Sequence, residues 1–131
     1  MLGLDTNVLV RFLVRDDELQ FARAKQRIKR EVASGGRIFV SLLVLLETEW
    51  VLRSRYALTK PEILAAFSSL LEARELGIED EAALEEALVT WRSAKAEFAD
   101  CLIGARNRRL GCRATVTFDS DAMKLATFSA V

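Results

Sequence analysis

The sequence predicts an α/β fold, with a central parallel sheet of four to five strands flanked by helices. Three observations carry this. Short apolar runs recur at Leu2–Leu4, Ile38–Val40, Leu76–Ile78 and Ala114–Phe118, with Phe128–Val131 a weaker fifth. Longer helical patterns lie between them, near residues 6–14, 18–33, 42–55, 61–73, 80–94 and 97–110. Strands separated by helices of this length need crossover connections, which are right-handed and pair the strands in parallel.

The helices are marked by periodicity and by their ends. Ile63, Leu64, Phe67, Leu70 and Leu71 fall on one face of a 3.6-residue repeat, and Leu84, Ala87, Leu88 and Trp91 do the same. Ser34-Gly35-Gly36 stops the second helix, and Thr59-Lys60-Pro61 opens the fourth with proline in its first turn. No repeat, linker or low-complexity tract interrupts the 131 residues, so one domain spanning 1–131 is expected. The longest apolar run, Leu42–Leu46, is far short of the ~20 residues that span a bilayer. The sequence runs straight into Leu2-Gly3-Leu4-Asp5 with no basic n-region, so no signal peptide is expected. Cys101 and Cys112 form neither a C-x-x-C pair nor a disulfide framework, which points to a reducing, cytoplasmic setting.

The chain contains no histidine. That removes imidazole acid–base nucleases, Ser-His-Asp hydrolases and imidazole zinc sites together. Net charge is zero but unevenly spread. Residues 11–37 hold eight Lys/Arg against four Asp/Glu, and residues 102–113 hold four arginines and no acid. Residues 72–90 hold seven acids against Arg74. A nucleic-acid face opposed to an acidic one fits this pattern, and so do ordinary solvated helix faces.

Ligands bind at the carboxyl ends of strands in open parallel sheets. Asp5 follows the first strand and Asp119 follows Ala114–Phe118. Each could equally be a helix N-cap. Glu47 sits in the apolar helix Leu42–Leu52 with Leu43, Val44, Trp50 and Val51 one turn away and no base among them. Burying an unpaired carboxylate costs several kcal/mol, so Glu47 is expected to need a cation. Glu49 has Arg53 at i+4 and is expected to be the solvent-facing acid of that helix. Asp100 likewise lacks a base at helical spacing and has Glu97 one turn before it. Acids without local partners suggest a shared Mg²⁺, or Mn²⁺ in its place, since carboxylate oxygens suit these ions.

Asp5-Thr6-Asn7, Ser41 leading to Glu47 and Trp50-Val51-Leu52, Phe98-Ala99-Asp100 and Thr117-Phe118-Asp119 together resemble the PIN-domain family. Within it, the similarity is to VapC-type toxins of toxin–antitoxin pairs. The resemblance spans essentially the whole chain. It implies a three-layer sandwich, Mg²⁺-dependent cleavage of RNA, a homodimer, and inhibition by a small antitoxin protein. It also implies that Asp5, Glu47, Asp100 and Asp119 ring the metal. Thr6, Asn7, Ser41 and Thr117 would support them, as would Glu97, where many relatives carry Asp.

Attack by water on the phosphorus would leave a 5′-phosphate and a 3′-hydroxyl. Arg11, Arg15, Arg106 and Arg109 are candidates for holding the RNA backbone. Two other readings stay open. A phospho-acceptor signalling domain shares the length and sheet, but would want consecutive acids where Asp5-Thr6-Asn7 stands. A non-catalytic RNA-binding or dimerisation module would not need the intact acid set.

Overall fold

Ile38-Phe39-Val40 is the strand on which the first part of the chain is organised. The computed structural model describes every residue from Met1 to Val131, and its contacts divide the chain into two compact units, Met1–Glu79 and Asp80–Val131. In the first unit β1 (Leu2–Gly3), β2 (Ile38–Val40) and β3 (Leu76–Ile78) form a parallel sheet in the order β1-β2-β3. Leu2 lies opposite Ile38, and Ile38 opposite Leu76. Ile38 and Val40 are wholly buried, as expected for the central strand of a parallel sheet covered by helices.

Two helices cross from each strand to the next. α1 (Thr6–Val14) and α2 (Glu18–Ala33) connect β1 to β2, while α3 (Leu42–Ser54) and α4 (Lys60–Glu72) connect β2 to β3. α2 ends at Ser34, and Gly35 follows at φ +84°, a conformation that favours glycine. Thr59 and Glu62 form a reciprocal capping box at the start of α4, with Pro61 in the first turn. Ile63, Leu64, Phe67 and Leu70 are buried from α4, on the face that the periodicity predicts.

α3 reverses one expectation. Its buried residues are Leu42, Leu45, Thr48, Glu49 and Leu52, so Glu49 is only 3% exposed while Glu47 faces solvent. The i+4 partner is what permits this: Arg53 Nε donates to Glu49 Oε2 at 2.8 Å while its own side chain stays half exposed. The arginine therefore remains hydrated as it compensates a buried carboxylate. Thr48, beside it, is fully buried and its hydroxyl has no hydrogen-bond partner.

The second unit is built on α5 (Glu81–Ser93) and α6 (Phe98–Arg109), followed by β4 (Thr115–Thr117), a 3₁₀ turn at Ala122–Lys124 and β5 (Phe128–Ala130). Trp91 meets Phe98 edge-to-face at 5.4 Å, closing one end of the helix pair. Asp80 ties down the other. It is 6% exposed, caps α5 through the Ala83 N–H at 3.1 Å, and accepts from Arg106 Nη1 and Arg109 Nε at 2.7 Å each. Burial pushes the Asp80 carboxyl up, but the Ala83 N–H and the two guanidiniums outweigh it and hold it below the ordinary range. At Gly104 a Cβ would collide with Thr127 and Phe128, so glycine lets β5 approach α6.

All five expected strands form and both ladders are parallel, so the α/β class holds. The expected single sheet of four to five strands is instead a three-stranded and a two-stranded sheet. β4 fills its ladder with β5, pairing Thr115 with Phe128 and Thr117 with Ala130.

Two substitutions test this packing by chemical denaturation. Asp80→Ala removes a cap and two charge-assisted hydrogen bonds, and should destabilise the chain by about 2–4 kcal/mol. Thr48→Val keeps the shape and removes an unsatisfied hydroxyl, and should stabilise by about 1 kcal/mol. A destabilised Thr48→Val would mean that the hydroxyl is hydrogen-bonded after all.

Candidate active site

Asp5 enters at the carboxyl end of β1. Its Oδ1 accepts from the Thr6 N–H at 2.9 Å and caps α1, and its backbone carbonyl accepts from Val8 and Leu9. Cap and candidate ligand coincide, because capping uses one carboxylate oxygen and leaves the other available. Thr6 is buried beneath it and Asn7 is exposed. Ser41, at the same end of β2, caps α3 by accepting from the Val44 N–H at 3.1 Å.

Asp5 and Glu47 line one pocket of about 390 Å³, together with Asn7, Arg11, Trp50 and Tyr56. Glu47 is thus an exposed acid on a pocket wall, not the buried one its apolar neighbours suggest. Trp50, one turn beyond it, is 50% exposed. Arg11 Nη1 donates to Tyr56 Oη at 3.0 Å and reaches Asp16 at 3.3 Å, and Tyr56 donates to Asp16 at 2.9 Å. This network fixes Arg11 at the pocket edge. Sequence spacing gave no sign of Tyr56 or Asp16, which lie 40 residues apart in the chain.

In the second unit Asp100 lies in the first turn of α6, half-buried, and Glu97 occupies the N-cap without making a side-chain cap bond. Burial raises the Asp100 carboxyl above its ordinary range; the charge of Asp119 adds to this, and Glu97 contributes repulsion against its own backbone hydrogen bond. Asp100 and Asp119 therefore sense one another electrostatically. Asp119 Oδ1 accepts from the Asp121 and Ala122 N–H groups at 2.9 and 2.8 Å, and Thr117 Oγ1 accepts from the Asp119 N–H at 3.0 Å. These bonds hold the acid in a fixed turn and leave Oδ2 outside them.

None of Asp5, Glu47, Asp100 and Asp119 forms an ion pair, in contrast to Glu49, Asp80 and Glu86. No three Asp, Glu or Cys side chains stand together at metal-ligating distance. The structure presents the candidates as two acids on one pocket and two electrostatically coupled acids. Either pair suits Mg²⁺, which takes one or two carboxylates and completes its shell with water and substrate phosphate. The candidate RNA contacts fare differently. Arg106 and Arg109 are committed to Asp80, because a buried carboxylate demands compensation. Arg15 is the left-handed C-cap of α1, lies 3.9 Å over the Phe21 ring and pairs with Glu18 at 3.7 Å.

The raised carboxyl of Asp100 has a consequence for stability. Its folded state takes up a proton at higher pH than the unfolded chain does, so ionised Asp100 weighs against folding at neutral pH. In EDTA, Asp100→Asn should be more stable than the parent at pH 7. The difference should shrink as pH falls through the raised range of Asp100. Equal melting temperatures of the two proteins at pH 7 would show that the carboxylate is not strained.

A family model described as the PIN domain matches residues 3–127. The chain is also similar to a VapC ribonuclease from Aquifex aeolicus (strain VF5), with 25% identity over 122 residues, covering 93% of this chain and 90% of the relative. The match spans both units and agrees with the α/β fold: the chain belongs to the PIN domain family.

Proposed function

We propose that the whole chain, residues 1–131, is a Mg²⁺-dependent endoribonuclease, the toxin of a toxin–antitoxin pair. The carrying observation is the unpaired state of Asp5, Glu47, Asp100 and Asp119 in a chain that pairs its buried acids with arginine. The relative's name, VapC ribonuclease, supports RNA as substrate; a small antitoxin as partner is what the resemblance to VapC-type toxins implies. Mg²⁺, with Mn²⁺ as a substitute, would be held by carboxylates of this set, Asp5 with Glu47 on the pocket wall or Asp100 with Asp119. Bound there, the ion supplies Lewis acidity that acidifies water and offsets phosphate charge.

The chain's own groups have distinct tasks in this reading. Asp5 and Glu47 present carboxylate oxygens on the pocket wall, with Asp5 oriented by the Thr6 N–H. Thr117 and the Asp121 and Ala122 N–H groups orient Asp119, and Glu97 keeps negative charge beside Asp100. Asn7 and Arg11 lie beside the pocket carboxylates, where an amide and a guanidinium can meet a phosphate. A homodimer in the cytoplasm fits this reading; no helix is long and apolar enough to cross a membrane, and both cysteines are free.

Purified protein should cleave RNA in Mg²⁺ or Mn²⁺ and stop in EDTA. Asp5→Asn and Asp100→Asn should each reduce cleavage by on the order of 100-fold or more while keeping native circular dichroism. The new ends should be 5′-phosphate and 3′-hydroxyl. A 2′,3′-cyclic phosphate product, or full activity in excess chelator, would overturn the metal-and-water chemistry.

A further inference from the structure

The groove between α1 and α2 is lined by Arg11, Arg23, Arg27 and Arg30, with Asn7 and Gln20, and by no carboxylate. It measures about 610 Å³. Arg23, Arg27 and Arg30 stand at i, i+4 and i+7, so they form a row about 10 Å long on one face of α2. All three are exposed. Arg27 reaches Glu31 at 3.4 Å, while Arg23 and Arg30 have no acidic partner. Arg53, Arg106, Arg108 and Arg109 are committed to acids, whereas Arg23 and Arg30 have none beside them.

The groove also neighbours the carboxylate pocket. Asn7 and Arg11 line both cavities, so the arginine row and the Asp5–Glu47 pocket lie on either side of a shared wall. The tie from Arg11 to Tyr56 and Asp16 holds that wall in place. α2 itself has no buried residue, so its basic face is not needed for the core.

We propose that this groove is a track for the phosphate backbone of single-stranded RNA, with Arg23, Arg27 and Arg30 holding the strand that flanks the phosphate at Asp5 and Glu47. The proposal rests on the nuclease reading and extends it to where the strand runs. The contacts are to phosphate, so they position the strand without reading its sequence.

Binding of a short fluorescein-labelled single-stranded RNA to the full chain is measured in EDTA over a salt series, with gel electrophoresis confirming intact RNA. The triple variant Arg23→Gln, Arg27→Gln, Arg30→Gln should bind about 10- to 100-fold more weakly at 0.1 M salt. The slope of log K against log salt should become shallower by about 2, since each single-strand phosphate contact contributes about 0.7. Arg23→Gln and Arg30→Gln alone should each shift the slope by about 0.7, which keeps the test intact if the triple variant folds poorly. Arg92→Gln, Lys95→Gln, Arg113→Gln removes the same charge from elsewhere and should leave the slope near the parent value.

Unchanged RNA affinity and slope in the groove variants would overturn the track. A loss of poly-glutamate binding in its place would assign the groove to an acidic protein partner and overturn it equally. A parent chain that neither binds nor cleaves RNA would overturn the nuclease reading itself, and that result is visible before any variant is made.

Discussion

The first unit depends on satisfying both edges of β2 while keeping water off both its faces. A three-residue strand has few hydrogen bonds to give, and an unpaired buried N–H or carbonyl would cost as much as a bond gained. Parallel neighbours on both edges meet the demand, and the two-helix crossovers that parallel pairing requires supply the cover. The same arrangement brings the carboxyl ends of β1, β2 and β3 to one rim. Asp5, Ser41 and Glu79 follow the three strands there, and the first two open helices, so their side chains are oriented by caps. Glu79 joins the rim by accepting from the Leu42 N–H at 3.2 Å.

Charge is distributed by the same physical rule throughout. An acid that must be buried carries a basic partner: Glu49 has Arg53, and Asp80 has Arg106 and Arg109. Each of those arginines remains partly exposed, so the pair avoids the full desolvation of two ions. The acids at strand ends and on the pocket wall have no such partner and are held by backbone N–H groups or left open to water. A mobile cation from solution can serve these, whereas a fixed arginine would occupy the position permanently. The split between internally compensated and externally compensated acids is what gives the proposed function its physical footing.

The element order was open to reading because it is local. Ile38–Val40 and Leu76–Ile78 are bounded by polar or glycine-containing segments, and the helix limits fall within two residues of the periodic patterns. The 3₁₀ turn at Ala122–Lys124 has no such pattern, and it forms because Asp119 accepts from the N–H groups of Asp121 and Ala122. The family was equally readable, since it rests on residue types in a fixed order. Glu47 and Glu49 take the opposite places from those that their helical neighbours alone imply. A helix face is chosen by the stripe that packs, here Leu42, Leu45 and Leu52, and Glu49 lies on that stripe while Glu47 does not.

What the amino-acid sequence determined by itself was the α/β class, the succession of helices and strands, and the absence of any imidazole chemistry. These follow from periodicity, end signals and composition, all of which act over a few residues. Tertiary structure decided which charges are spent. Arg106 and Arg109 look as available in the sequence as Arg23 and Arg30, yet they close on Asp80, more than 25 residues away, while the α2 arginines face an acid-free groove. No local rule carries that distinction, because compensation of a buried charge is settled by whichever cation the fold brings within hydrogen-bond reach.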